Sequence, residues 1–307
     1  MKQAVLPGEA QAPREVPEES PLARAWSDFT ESKAAVAGLV LFVLIAAMAV
    51  FAPWITPQNP YDLAQLDIMD GNLPPGAESM TGAPFWLGTD DQGRDMLSAI
   101  IYGLRMSLGV AALSTLIALA IGMSIGVTAA YFGGRIDSLI MRVVDLQLSF
   151  PVILVALILL AILGKGVDKV IFALIIVQWA YYARTVRGTA LVERRKEYIE
   201  AAACLALSHR RVVFSHLLPN CLPPLIVVAT VQVANAIALE ATLSFLGVGV
   251  PITQPSLGLL IANGYGYLLS GDYWISFFPG IALVVTIVAI NLVGDQLRDV
   301  LNPRLRR

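Results

Sequence analysis

Of 307 residues, 57% are hydrophobic and only 14% charged, with a mean hydropathy of +0.70. That balance excludes an ordinary soluble domain and calls for apolar stretches of about 20 residues, long enough to cross a bilayer. The net charge of −2 gives no indication of nucleic acid, and none is expected as a partner. Residues 1–33 are polar, with Pro13, Pro17 and Pro21 among mixed charges, and are read as a disordered tail too long and acidic to begin a signal peptide. Ala34 to Ile55 is the first apolar span, its far end marked by Pro53 and Pro57. Residues 58–103 form a long polar, largely acidic segment. Its Gly- and Asp-rich turn, Phe85-Trp86-Leu87-Gly88-Thr89-Asp90-Asp91-Gln92-Gly93-Arg94-Asp95, leads into a helix at Met96. Those aspartates lack the alternating ligands and terminal Glu of a calcium loop, so no metal is expected. Leu104–Phe132 is the second span, with Gly122 and Gly126 at a spacing that suits a close helix crossing or is simply common in membrane helices. Leu139–Leu163 is the third span, where Arg142 and Asp145 are placed to pair. Val170–Tyr182 is a short fourth span, Cys221 to about Val250 a fifth holding Asn235 and Glu240, and Ile275–Val293 a sixth. The tail beyond Gly294 is basic.

Between the fourth and fifth spans lies the one long basic segment, Leu191–Pro224. Ile199, Ala202, Ala203 and Ala206 recur at i, i+3, i+4, i+7, which puts them on one face of a first short helix, small enough for a partner's backbone to come close. Ser208 is placed to cap a second helix that Pro219 should stop. Asn220 is then placed to cap the next helix, with Pro223 and Pro224 in its first turn.

The cations settle an orientation. With six spans, seventeen of the 21 lysines and arginines fall on the side that holds both termini and the basic segment, and four fall on the other. The positive-inside rule puts the first set in the cytoplasm, so the acidic segment faces out. On that side Cys204 and Cys221 would be free thiols.

Glu200-Ala201-Ala202, the small Ala206 and Leu218-Pro219-Asn220 together resemble the EAA loop of permease subunits of ABC importers, which usually has Gly where Ala206 stands. Leu87 to Asp95 closely resembles the Leu-Gly-Thr-Asp-x-x-Gly-Arg-Asp segment of dipeptide and oligopeptide importer permeases. Leu239–Gly247 and Gly294-Asp295 through Asn302-Pro303 resemble the same subfamily, so the likeness covers nearly everything after residue 33. It implies an all-α membrane protein with six transmembrane helices in a type I ABC importer permease fold. The organisation would be a tail (1–33), a first helix (34–57), an extracytoplasmic segment (58–103), a five-helix core (104–297) with its coupling loop (191–224), and a second tail (298–307). The implied setting is the bacterial inner membrane. The implied partners are a second homologous permease in a heterodimer, two ATP-binding cassette ATPases and an extracytoplasmic substrate-binding protein. In the coupling loop, Glu200 would be a polar anchor, Ala201, Ala202 and Ala206 a close-packed face, and Pro219 with Asn220 the link to the fifth span.

The chain has no G-x-x-x-x-G-K-[ST] phosphate loop, so ATP hydrolysis is expected on partner subunits and no cofactor is expected here. An ion-coupled secondary carrier is the alternative. Such carriers place ionisable groups in mid-membrane and show inverted repeats. Glu240, with Ser244 one turn on, is the one deep candidate, either for the translocation pathway or for a bond between helices; no internal repeat is visible.

Overall fold

The computed structural model describes residues 20–79, 82 and 84–301. Helix α1 (Pro21–Thr30) begins at Ser20, whose side chain caps the first turn, so these ten residues are helical rather than part of a disordered tail. The tail before them, 1–19, lies outside the described residues. Then come α2 (Lys33–Val50), α3 (Ala52–Ile55) and a polar segment with a two-stranded antiparallel hairpin, β1 (Ala77–Glu78) and β2 (Pro84–Phe85). Helix α4 runs unbroken from Met96, where the sequence places its start, to Phe132. Asp95 caps it, accepting from Ser98 N at 2.8 Å and Ser98 Oγ at 2.5 Å.

Helix α4 packs along α7 (Val167–Glu193) more extensively than any other helix pair among the described residues. The contact depends on Gly122 and Gly126. A Cβ at Gly122 would lie 2.6 Å from Tyr182 Cβ, and one at Gly126 would lie 3.0 Å from Ala183 Cα. Of the two readings of this spacing, the close crossing is the one the structure adopts.

The third span is not continuous. Helix α5 (Gly134–Leu148) and α6 (Val152–Leu163) meet at 88° across Ser149-Phe150-Pro151. Pro151 drives Phe150 out of the helical region, while Ser149 Oγ donates to Asp145 O at 2.7 Å. Twelve residues of α6 reach only about 18 Å. The expected Arg142–Asp145 pair does not form. Asp145 instead meets Arg184 on α7, and Asp137 accepts from Arg187 Nε at 2.5 Å and Nη2 at 2.7 Å. These two bridges carry α7 well beyond the short fourth span that hydropathy marks out, on to Glu193.

Next come α8 (Glu197–Cys204), α9 (His209–Arg211), a π-helical stretch (Val212–Leu217) and α10 (Leu218–Phe245). Helix α11 (Leu257–Tyr265) folds back from the loop after α10 and packs on α10 and α12 (Trp274–Leu301). Helix α12 therefore includes Gly294, Asp295 and Arg298, which the sequence reading places in a tail. Gln296 Nε2 donates to Asp28 O at 3.0 Å, which ties α1 to this last turn. Among the described residues, five helical stretches are long and apolar enough to cross a membrane, and six if the bent α5–α6 pair counts as one.

Gly126→Leu should force the α4–α7 backbones apart and lower stability by about 1–3 kcal/mol. Gly109→Ala, where no described atom lies within 4 Å of an added Cβ, should leave the thermal midpoint in detergent unchanged or raise it slightly. Equal midpoints for the two variants would rule out the crossing as a stabilising contact.

Candidate functional site

The basic segment folds as an elbow fastened to the end of α4. Arg194 Nη1 donates to Ala130 O at 3.0 Å, and its guanidinium lies 6.0 Å from the Tyr131 ring centre. Tyr131 Oη and His209 Nδ1 share a 2.5 Å hydrogen bond. Glu193 accepts from Lys196 Nζ at 2.6 Å and from Tyr198 Oη at 2.7 Å, closing the turn between α7 and α8. Burial, with the Glu193 carboxylate second, pushes Tyr198 up to about 12, so the phenol stays protonated as the donor.

Helix α8 buries Ile199 and Ala202 against Tyr182, Val186, Leu217 and Cys221 of its own chain. Glu200 and Ala201 are exposed, as are Cys204 and Leu205. The close-packed face of Ala201, Ala202 and Ala206 that the resemblance implies is therefore divided. Ala202 is 3% exposed and seats the helix on the protein, and Ala201 next to it faces away. Ala206 is not on the helix at all. It follows the last turn with φ +51°, in the left-handed region, and Leu207 N donates back to Ala202 O at 3.2 Å. That six-to-one bond is the Schellman closure, whose left-handed position favours Gly because a Cβ crowds the neighbouring carbonyl.

Ser208 caps α9 as placed, its Oγ accepting from Arg211 N at 3.4 Å. Pro219 does not stop the helix. The preceding turn widens to π geometry, with Leu218 N donating to Val213 O five residues back. The chain then stays helical through Pro219, Pro223 and Pro224. Asn220 is thus inside the helix rather than its cap, and its Nδ2 donates to His216 O at 2.7 Å.

Glu240 is fully buried where three elements meet. Ser107 Oγ of α4 donates to its Oε2 at 2.7 Å, and Ser244 Oγ, one turn on, donates to Oε1 at 2.8 Å. Ser256, at the start of α11, adds a third hydroxyl contact. Sequence reasoning found Glu240 and Ser244 but had no means of pairing them with Ser107, 133 residues away.

The Leu87–Asp95 motif is a buried brace. Arg94 Nε bonds Asp90 Oδ2 at 2.6 Å with both side chains inaccessible, and Trp274 Nε1 of α12 donates to Thr89 O at 3.1 Å. Gly88 has φ +77°, and a Cβ there would lie 2.9 Å from Trp274 Nε1.

A cavity of about 350 Å³ lies between α6, α7 and α10, with Gln178, Tyr181, Gln232, Asn235 and Thr242 in its wall. The sequence reading passed over both glutamines; amides inside apolar helices were the available signal.

A bundle of this kind, with a basic elbow at one end and a braced polar segment at the other, has the make-up of a membrane protein with several spanning helices. The model of the family described as binding-protein-dependent transport system inner membrane component matches residues 118–307, and that of the N-terminal TM domain of oligopeptide transport permease C matches residues 20–75. The chain belongs to the family of binding-protein-dependent transport system inner membrane components. It is 37% identical over 287 residues to the di/tripeptide transport system permease protein DppC of Pseudomonas aeruginosa (strain UCBPP-PA14), covering 94% of this chain and 93% of that one. It is 40% identical over 289 residues to the dipeptide transport system permease protein DppC of Escherichia coli (strain K12), covering 94% and 95%. In fold it resembles a chain of the inward-facing MetNI methionine ABC transporter, with a TM-score of 0.55 at 22% identity over 67% of this chain and 98% of that one. As a multi-pass permease component, the protein is not itself an enzyme.

Ala206→Gly should relieve about 1–2 kcal/mol of left-handed strain, less about 0.4–1 kcal/mol of added unfolded-state entropy. Slower hydrogen exchange at the Leu207 amide is the expected readout, and faster exchange would contradict the strain. Glu240→Ala leaves buried hydroxyls without an acceptor and should cost about 1–3 kcal/mol. Glu240→Gln, which keeps an acceptor oxygen, should cost less; the thermal midpoints in detergent order the two variants.

Proposed function

We propose that this chain forms half of the translocation pathway of an ATP-driven importer of di- or oligopeptides. Its relatives named for dipeptide transport support the substrate class. A second homologous permease completes the pathway as a heterodimer. Two ATP-binding cassette ATPases drive it, and an extracytoplasmic binding protein delivers the peptide. Both termini and the elbow face the cytoplasm, as the distribution of cations supports.

One observation carries the coupling role. Helix α8 is held to its own bundle through Ile199 and Ala202, while Glu200 and Ala201 remain free on the opposite side. A body docked on those free residues moves the whole helix, because the seated face cannot slide without breaking its packing. The motion passes through Arg194 and the Tyr131–His209 bond into α4, and through the π-helical stretch into α10. ATPase closure would then rock α4 and α10 between inward- and outward-open arrangements. In this scheme Glu200 is the polar anchor, Ala201 the close contact, Ala202 and Ala206 the seat and closing turn, and Pro219 with Asn220 the join to α10. Glu240 and Ser244 hold helices together and carry no ion.

Glu200→Arg and Ala201→Arg place a long cation on the exposed face without touching the seat. Co-purified ATPase should fall by about tenfold, equivalent to 1.4 kcal/mol, with the thermal midpoint of the chain unchanged. Full co-purification together with normal peptide uptake would remove the elbow from the coupling path.

A further inference from the structure

We propose that the cavity between α6, α7 and α10 is a subsite for the peptide main chain, which rests on the transport function proposed above. Its polar wall comes from Gln178 and Tyr181 on α7 and from Gln232, Asn235 and Thr242 on α10, all within helices apolar enough to span a membrane. Amides at such depth do not face lipid, where nothing would satisfy them. The break in the third span lies at the edge of the cavity. Val152 and Ile153, the first residues of α6 after the 88° bend, line the cavity.

The chemistry of the wall selects the guest. Among the described residues, no Asp, Glu, Lys or Arg lines the cavity, so it has no means of choosing among peptides by side-chain charge. Its primary amides and hydroxyls match the one feature common to all short peptides, alternating N–H and C=O groups. The amides are also held in place. Asn235 Nδ2 donates to Gln232 Oε1 at 2.8 Å, and Thr115 Oγ1 donates to Gln178 Oε1 at 3.3 Å. With both glutamine oxygens engaged, their Nε2 groups are the ends left to donate to peptide carbonyls. The volume, about 350 Å³, falls in the range of roughly 300–1,000 Å³ typical of small-ligand sites. A metal chelate or an anion would find neither a ligand set nor a countercharge in this wall.

The test uses the whole complex of both permeases, ATPases and binding protein in proteoliposomes. Uptake of dialanine, alanyl-lysine and alanyl-aspartate is measured side by side. Gln178→Leu and Gln232→Leu should each lower uptake of all three peptides together, by about tenfold for each main-chain hydrogen bond lost, with the subunits still co-purifying. Gln232→Glu keeps the size and adds a negative charge, and should depress alanyl-aspartate uptake selectively. Unchanged uptake in the leucine variants would overturn the subsite, as would equal uptake of the three peptides by Gln232→Glu. Loss of subunit assembly in the leucine variants with no charge selectivity in Gln232→Glu would make the amides subunit glue and also overturn it. A wild-type complex that takes up none of the three peptides would instead reject the transport reading on which the subsite rests.

Discussion

The close approach of α4 to α7 at Gly122 and Gly126 is the contact on which the other features of the bundle depend. Both helices are longer than a bilayer core about 30 Å thick requires, so each projects beyond it and carries structure at its ends. At one end of α4, Asp95 and the braced turn before it fix the polar segment. At the other, Ala130 and Tyr131 receive Arg194 and His209 of the elbow. Helix α7 supplies Gln178 to the cavity wall, Arg184 and Arg187 to the bridges with α5, and Glu193 to the turn into α8. A larger side chain at the crossing would displace all of these at once.

Around this axis the polar groups divide by surroundings. Glu240 and Arg94 are buried with close partners and act as fasteners, one among three hydroxyls and the other against Asp90. The bridges at Asp137 and Asp145 lie nearer solvent and contribute more to the placement of α5 than to stability. The elbow combines both kinds, with an apolar seat under Ile199 and Ala202 and an open upper face on which Glu200 stands beside small and apolar residues.

Much of this was legible in the sequence where one local rule acted alone. The start of α4 at Met96 and the Ser208 cap follow from short-range chemistry, and both stand. The apolar spans were found, but several of their ends were not. Glu193 lies beyond two arginines that hydropathy takes for the end of a membrane helix, and their partners sit on α5, 39 and 50 residues earlier in the sequence. Proline was misread in both directions. Pro151 breaks a span that composition presents as continuous, whereas Pro219 is absorbed by a widened turn. Periodicity assigned Ala206 to a helix face, but the helix ends two residues earlier and Ala206 takes a turn conformation that no apolar pattern encodes. The polar wall of the cavity was missed because its residues come from two helices, α7 and α10, whose rotation about their axes no local pattern encodes.

In α10 that rotation is set in part by the π-helical stretch Val212–Leu217. A π turn holds about one residue more than an α turn, and each residue of an α-helix advances the azimuth by about 100°. The surplus residue therefore acts as a phase setting for everything downstream on α10. It aims Gln232 and Asn235 at the cavity and Glu240 at Ser107. A single deletion there would keep α10 a helix yet turn its polar stripe by about 100°, away from the cavity. The length of this segment is thus as much a part of the design as its composition.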